Sequence, residues 1–150
     1  MSTTPTEPPA QILVVEDNPA DVHLLQLALQ HAKVHYVLTH LLDGQAALDF
    51  FLRRGPYQEA PRPDLLVLDL HLPKLDGFEV LERLKEGNIL SHMAIIIFST
   101  SDDPGDRAAA EALHVTRYVV KPFTLAMIMH VGQILKDVLA THAQAKHTAR

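Results

Sequence analysis

The chain lacks several features that would assign it to a particular class of protein. It has no cysteine, which excludes disulfide bonds and thiolate metal sites and is typical of a reducing compartment. No apolar run approaches the ~20 residues that cross a bilayer, and the amino terminus has no signal-peptide pattern. The net charge is -5, so the basic excess of nucleic-acid-binding proteins is missing. We therefore expect a soluble cytoplasmic protein that binds neither membranes nor nucleic acid.

What is present fits one globular domain. The chain has 150 residues, of which 47% are hydrophobic and 21% charged, enough to bury a core. Residues 1–10, rich in Thr, Pro and Glu, predict a disordered tail, 11–140 the folded domain, and 141–150 a frayed tail after a last helix that ends near Ala140. Short apolar runs at 12–15, 34–39, 65–68, 94–98 and 116–120 alternate with helical patterns. This predicts an α/β fold, a (βα)5 doubly wound parallel sheet with helices on both faces.

The third apolar run ends in a carboxylate. Asp69 follows Leu68 directly, and Pro73 and Gly77 stop the strand from continuing. Open α/β sheets place their chemistry at the carboxyl ends of their strands, which favours a functional role for Asp69. The alternative is that Asp69 only caps the following helix.

Other strand ends supply partners for Asp69. Glu16 and Asp17 follow the first strand, Ser99 the fourth and Lys121 the fifth. Oxygen ligands alone favour a hard cation such as Mg²⁺, and a lysine and a hydroxyl suit an incoming phosphoryl group. Phosphoryl transfer needs mainly positioning and neutralisation of charge, so this set predicts transfer of a phosphoryl group to Asp69.

The motifs at these positions resemble the receiver domains of two-component response regulators. The resemblance covers roughly residues 11–140 and depends on the segments 14–18, 68–77, 99–101 and 118–123. It implies a flavodoxin-like fold with strand order 2-1-3-4-5. It also implies a signalling protein that catalyses only its own phosphorylation and dephosphorylation, and is no enzyme toward an outside substrate.

The resemblance assigns roles residue by residue. Asp69 would accept the phosphoryl group, and Lys121 would pair with it. Asp17 would bind Mg²⁺ directly, Glu16 through water, and His71 through its backbone carbonyl. The donor would be the phosphohistidine of a sensor histidine kinase.

The resemblance also implies a conformational switch. Ser99 stands where the family more often has threonine, and Tyr118 is the aromatic residue that swings inward when that hydroxyl moves toward phosphate. The bond between Lys121 and Pro122 is expected to be cis. His71 and Ser101 occupy positions that tune how quickly the phosphoryl group is lost.

The finer resemblance is to stand-alone receivers paired with bacterial phytochrome histidine kinases. It depends on the start at 16–21, the proline-rich loop before the third strand, and residues 112–115, where most receivers have a glycine near His114.

The last helix has more apolar residues than one face requires. A helix that packs on a sheet needs an apolar stripe of about 100°. Ile128, Val131, Leu135 and Leu139 suffice for such a stripe, which leaves Leu125, Met127, Met129, Ile134 and Val138 for a second surface. We expect a homodimer through this helix, with the preceding helix contributing, unless the C-terminal tail covers the surface.

Two other functions fit parts of the pattern. A haloacid-dehalogenase-type phosphatase also places an aspartate at a strand end, but usually needs a second one at the position of His71. A phosphorylation-independent binding module is the other alternative, and the complete set Glu16, Asp17, Asp69, Ser99 and Lys121 argues against it.

Overall fold

The computed structural model describes residues 8–89 and 92–148, with side chains as far as 145. The predicted disordered tail at 1–10 falls largely on residues 1–7, which lie outside the described residues. Strands and helices alternate along the described chain, with one 3₁₀ turn at Gly55–Tyr57. The strands are β1 (Ala10–Val15), β2 (Tyr36–Leu41), β3 (Leu65–Leu68), β4 (Ala94–Ser99) and β5 (Arg117–Val120). The helices are α1 (Pro19–His31), α2 (Gly44–Phe51), α3 (Gly77–Glu86), α4 (Pro104–Ala112) and α5 (Leu125–Thr148).

The five strands form one parallel sheet in the order β2-β1-β3-β4-β5, as predicted. Successive side chains of a strand point to opposite faces, so each central strand contributes to two cores. Leu66 and Leu68 of β3 pack with α2, α3 and α4, whereas Leu65 and Val67 pack with α1 and α5. The unbroken apolar run of β3 is explained by this burial on both faces.

Side-chain caps fix where the helices begin. Asn18 accepts a hydrogen bond from the backbone nitrogen of Ala20, and Pro19 occupies the first turn, as the sequence predicts. Asp43, Asp76 and Asp103 cap α2, α3 and α4 in the same way. These helix starts position the loops that follow β1, β2, β3 and β4, at the carboxyl edge of the sheet.

Two helices differ from their predicted form. In α2 the spacing of apolar residues predicts one helical face of Ala47, Leu48, Phe51 and Leu52. The first two are buried, but Phe50 is buried in place of Phe51, and Leu52 is 45% exposed. Helix α5 continues to Thr148 rather than ending near Ala140, since no proline or glycine follows Gly132 to stop it.

The packing of α5 also corrects the predicted second apolar surface. Ile134 and Val138 are buried, because α5 packs against α1 as well as the sheet. Gly132 permits this close approach, since a Cβ there would lie 2.3 Å from the carbonyl oxygen of Ala28. In the described part of the chain, no helix has the length and apolar character needed to cross a membrane.

Candidate functional site

The backbone of the sheet holds the predicted site residues at one edge. The amide of Glu16 donates to the carbonyl of Leu41, and the amide of Asp69 donates to the carbonyl of Val15. The amide of Lys121 donates to the carbonyl of Ser99 at 2.8 Å. Each of these residues therefore continues the backbone hydrogen bonding of its strand by one residue. This brings the carboxyl ends of β1, β3, β4 and β5 together.

Lys121 lies at the centre of this edge. Its Nζ is 2.6 Å from Oε1 of Glu16, 2.8 Å from Oδ2 of Asp21 and 3.2 Å from Oδ2 of Asp69. Burial alone would lower the pKa of the Lys121 ammonium, but hydrogen bonds to Asp21 and Glu16 outweigh it and raise the pKa above its ordinary value. The lysine is therefore a fixed positive charge shared by three carboxylates.

Glu16 is the most strongly perturbed carboxyl group of the site. Burial raises the pKa of Glu16 from 4.5 to about 7, opposed by its hydrogen bond to Lys121 and reinforced by the negative charge of Asp69. Two buried carboxylates and one ammonium leave this part of the site short of positive charge. An additional cation would relieve that repulsion.

Three carboxylates are placed to hold such a cation. Glu16, Asp17 and Asp69 each offer an oxygen atom, and these atoms lie within 4.8 Å of one another. Glu16 and Asp69 are buried while Asp17 is exposed, so the cluster is open to solvent on one side. Oxygen donors with excess negative charge fit a hard divalent cation such as Mg²⁺ or Mn²⁺.

The loop after β3 is tied to Asp69. The backbone amide of His71 donates to Oδ1 of Asp69 at 3.3 Å, while the His71 side chain is exposed. Helix α3 begins directly behind this loop: a Cβ at Gly77 would lie 2.4 Å from the carbonyl oxygen of Asp69. The absence of a side chain at Gly77 is therefore needed for the observed position of Asp69.

Ser99 and Tyr118 are linked through Ser101. The hydroxyl of the fully buried Ser99 accepts a hydrogen bond from the amide of Ser101, whose carbonyl accepts one from the Tyr118 hydroxyl at 2.8 Å. The hydroxyl of Ser101 donates to Asp106 of α4 at 2.6 Å. The guanidinium of Arg107 lies 4.7 Å from the centre of the Tyr118 ring. These contacts connect the end of β4 with α4 and β5.

The structure corrects one expectation at this edge and adds two residues. No peptide bond of the described residues is cis, so the bond between Lys121 and Pro122 is trans, the intrinsically favoured form. Two residues of this edge were not identified from the sequence. Asp21 forms an ion pair with Lys121, and Nε2 of His40 lies 2.6 Å from the carbonyl oxygen of Glu16. For Asp21 a signal was present, since it lies in the first turn of the helix that follows the acidic pair.

Comparison with known proteins identifies the family. A family model described as response regulator receiver domain matches residues 12–132. Response regulator Rcp1 from Synechocystis sp. is 40% identical over 128 residues, which span 85% of this chain and 87% of Rcp1. The chain belongs to the response regulator receiver family. It is thus a receiver domain of the two-component type, and its cluster of Glu16, Asp17 and Asp69 is consistent with a phosphorylation site.

Several similar solved structures are phytochrome or bacteriophytochrome response regulators. The Mn²⁺-bound form of Rcp1 aligns with a TM-score of 0.78 at 38% identity, covering 85% of this chain and 92% of Rcp1. The phosphorylated cyanobacterial phytochrome response regulator RcpA aligns with a TM-score of 0.81 at 35% identity, covering 89% and 96%. The bacteriophytochrome response regulator AtBRR aligns with a TM-score of 0.71 at 31% identity, covering 88% and 94%.

Proposed function

We propose that the protein accepts a phosphoryl group on Asp69 and uses it to switch an interaction surface. The observation that supports this most directly is the position of Asp69 at the end of β3, within 3.2 Å of Lys121 and inside the carboxylate cluster. One oxygen of Asp69 forms a bond to phosphorus while the P–N bond of a phosphohistidine breaks, and the departing imidazole takes up a proton. Lys121 pairs with an oxygen of the transferred group.

The carboxylate cluster supports a role for Mg²⁺ in this reaction. Glu16, Asp17 and Asp69 would hold the ion, with the backbone carbonyl of His71 as a further ligand. When bound, Mg²⁺ neutralises charge on the phosphoryl oxygens. The similar protein Rcp1 has a solved Mn²⁺-bound form, and Mn²⁺ shares the preference of Mg²⁺ for oxygen ligands.

Intact-mass measurement after incubation with acetyl phosphate and Mg²⁺ tests the acceptor. The wild-type protein should gain the mass of one phosphoryl group, and Asp69→Asn should gain none. Asp76→Asn is the matched control, because it makes the same change at an exposed cap where asparagine serves equally well. If the wild type gains nothing from acetyl phosphate or from a histidine kinase, the proposal is wrong, and the phosphorylation-independent binding module is favoured.

We propose a bacteriophytochrome histidine kinase as the phosphodonor. RcpA is a cyanobacterial phytochrome response regulator and AtBRR a bacteriophytochrome response regulator, and both align over most of this chain. Because such a kinase takes its phosphate from ATP, the proposed site of action is the cytoplasm. An autophosphorylated bacteriophytochrome kinase should transfer phosphate to this chain faster than an unrelated kinase does. Equal rates from the two kinases would contradict the pairing.

The switched surface that we propose lies at the start of α5. Ser99 and Tyr118 connect the phosphorylation site with β5, and just beyond β5 Phe123 is 84% and Leu125 71% exposed. Together with the exposed Met127, these side chains form an apolar patch suited to a homodimer.

Analytical ultracentrifugation at micromolar concentration, with and without beryllofluoride, tests the dimer. The wild type should sediment as a dimer in at least one condition, and Leu125→Glu as a monomer in both. Leu52→Glu introduces the same charge at an exposed leucine outside the patch and should not change sedimentation. A wild type that is monomeric in both conditions would rule out the dimer.

A further inference from the structure

Asp21 differs from the other two partners of Lys121. All three carboxylates contact the ammonium, but only Glu16 and Asp69 belong to the cluster that could hold a cation. Asp21 comes from the first turn of α1, and its side chain is 19% exposed. It therefore interacts with the site through Lys121 and not as a member of the cation cluster.

The first turn of α1 holds the carboxylate of Asp21 in a fixed position beside Lys121. Its backbone amide donates to the carbonyl of Asn18, which fixes the first turn, and the amino end of a helix favours a carboxylate. At 2.8 Å the contact between Asp21 and Lys121 is shorter than the 3.2 Å contact between Asp69 and Lys121. If Glu16 and Asp69 held a cation, Asp21 would remain as the counter-charge of the lysine.

We propose that Asp21 is a positioning residue that holds Lys121 and competes for its ammonium with the groups that arrive at Asp69. This inference rests on the proposed function of Asp69 as phosphoryl acceptor. Before phosphorylation, Asp21 draws the ammonium away from Asp69, whose contact with it is the longest of the three, and this leaves the Asp69 carboxylate freer to bind Mg²⁺. During phosphorylation, Asp21 competes with the phosphoryl oxygens for the same ammonium and repels their negative charge.

Removal of the Asp21 charge should change Mg²⁺ affinity and phosphorylation rate in opposite directions. This distinguishes a positioning role from a purely structural one. Asp21→Asn should weaken Mg²⁺ binding by about threefold to tenfold, as measured by isothermal titration calorimetry. At saturating Mg²⁺ it should accelerate phosphorylation by acetyl phosphate by about the same factor, as followed by intact mass. A variant that merely disturbed the fold would weaken both.

Three further variants complete the test. Glu82→Gln removes one negative charge at an exposed position of α3 and should leave both quantities unchanged. Asp21→Glu keeps the carboxylate and should lie close to wild type. In a Lys121→Met background, Asp21→Asn should weaken Mg²⁺ binding by a smaller factor than in the wild type, because the ammonium through which Asp21 acts is gone.

Each outcome decides the inference. Opposite changes in Mg²⁺ affinity and phosphorylation rate, with a reduced effect in the Lys121→Met background, support it. Unchanged values, changes of the same sign, or an equal effect in both backgrounds overturn it. If the wild-type protein accepts no phosphoryl group, the proposed function fails, and the calorimetric comparison in the two backgrounds still decides whether Asp21 acts on the cation site through Lys121.

Discussion

Glu16 should make the metal-free protein less stable as the pH rises from 4.5 to 7. Its carboxyl group has a pKa of about 7 in the folded protein, against 4.5 as its ordinary value. Between these two values the folded state holds a proton that the unfolded state has lost, so the free energy of unfolding falls as the pH rises from 4.5 to 7. At 1.36 kcal/mol per pKa unit, the loss is on the order of 3 kcal/mol, complete above pH 7.

Glu16→Gln tests this reasoning, because glutamine imitates the protonated carboxyl group. Urea unfolding followed by circular dichroism, in buffer with a chelator from pH 4.5 to 8, gives the free energy at each pH. The variant should match the wild type near the acidic end and exceed it at pH 8. Glu82→Gln, at an exposed position, should keep the wild-type slope. If Glu16→Gln also keeps that slope, another group is responsible and the assignment to Glu16 is refuted.

Three further substitutions test the packing around the site. Gly77→Ala should lower the free energy of unfolding by about 1–3 kcal/mol in urea titrations and weaken Mg²⁺ binding, because its Cβ would displace the Asp69 carbonyl. Gly132→Ala should lower the thermal midpoint by separating α5 from Ala28, with Mg²⁺ affinity unchanged. Leu66→Ala should lower the free energy of unfolding by about 2–5 kcal/mol, since it leaves a cavity in a fully buried strand.

Local signals were sufficient to predict most of the fold. The run from Leu65 to Leu68 predicted β3 residue for residue, and Asn18 caps α1 as its position before Pro19 predicts. These features depend on neighbouring residues, which the sequence displays directly. The start of β2 was predicted two residues early, because the amide of Val34 completes the end of α1 by donating to Leu29.

Contacts between distant parts of the chain were harder to predict. The burial of Ile134 and Val138 depends on how closely α5 approaches α1, which is set by Gly132 and not by the periodicity of α5. Contacts between strand ends were an exception, because the shared edge of a parallel sheet predicted that Glu16 and Lys121 meet, and they do. The pairing of Lys121 with Asp21 spans 100 residues and involves a helix, so no strand pattern could indicate it.

The contact between Gly132 and Ala28 lies closer to the start of α5 than to its end. The helix has 24 residues and is therefore about 36 Å long, with Gly132 roughly 10 Å from Leu125 and 24 Å from Thr148. A tilt of about 10° around that contact would move the exposed start of the helix by about 2 Å and its far end by about 4 Å. Any partner bound at the far end of α5 would thus experience roughly twice the displacement of the exposed start of the helix.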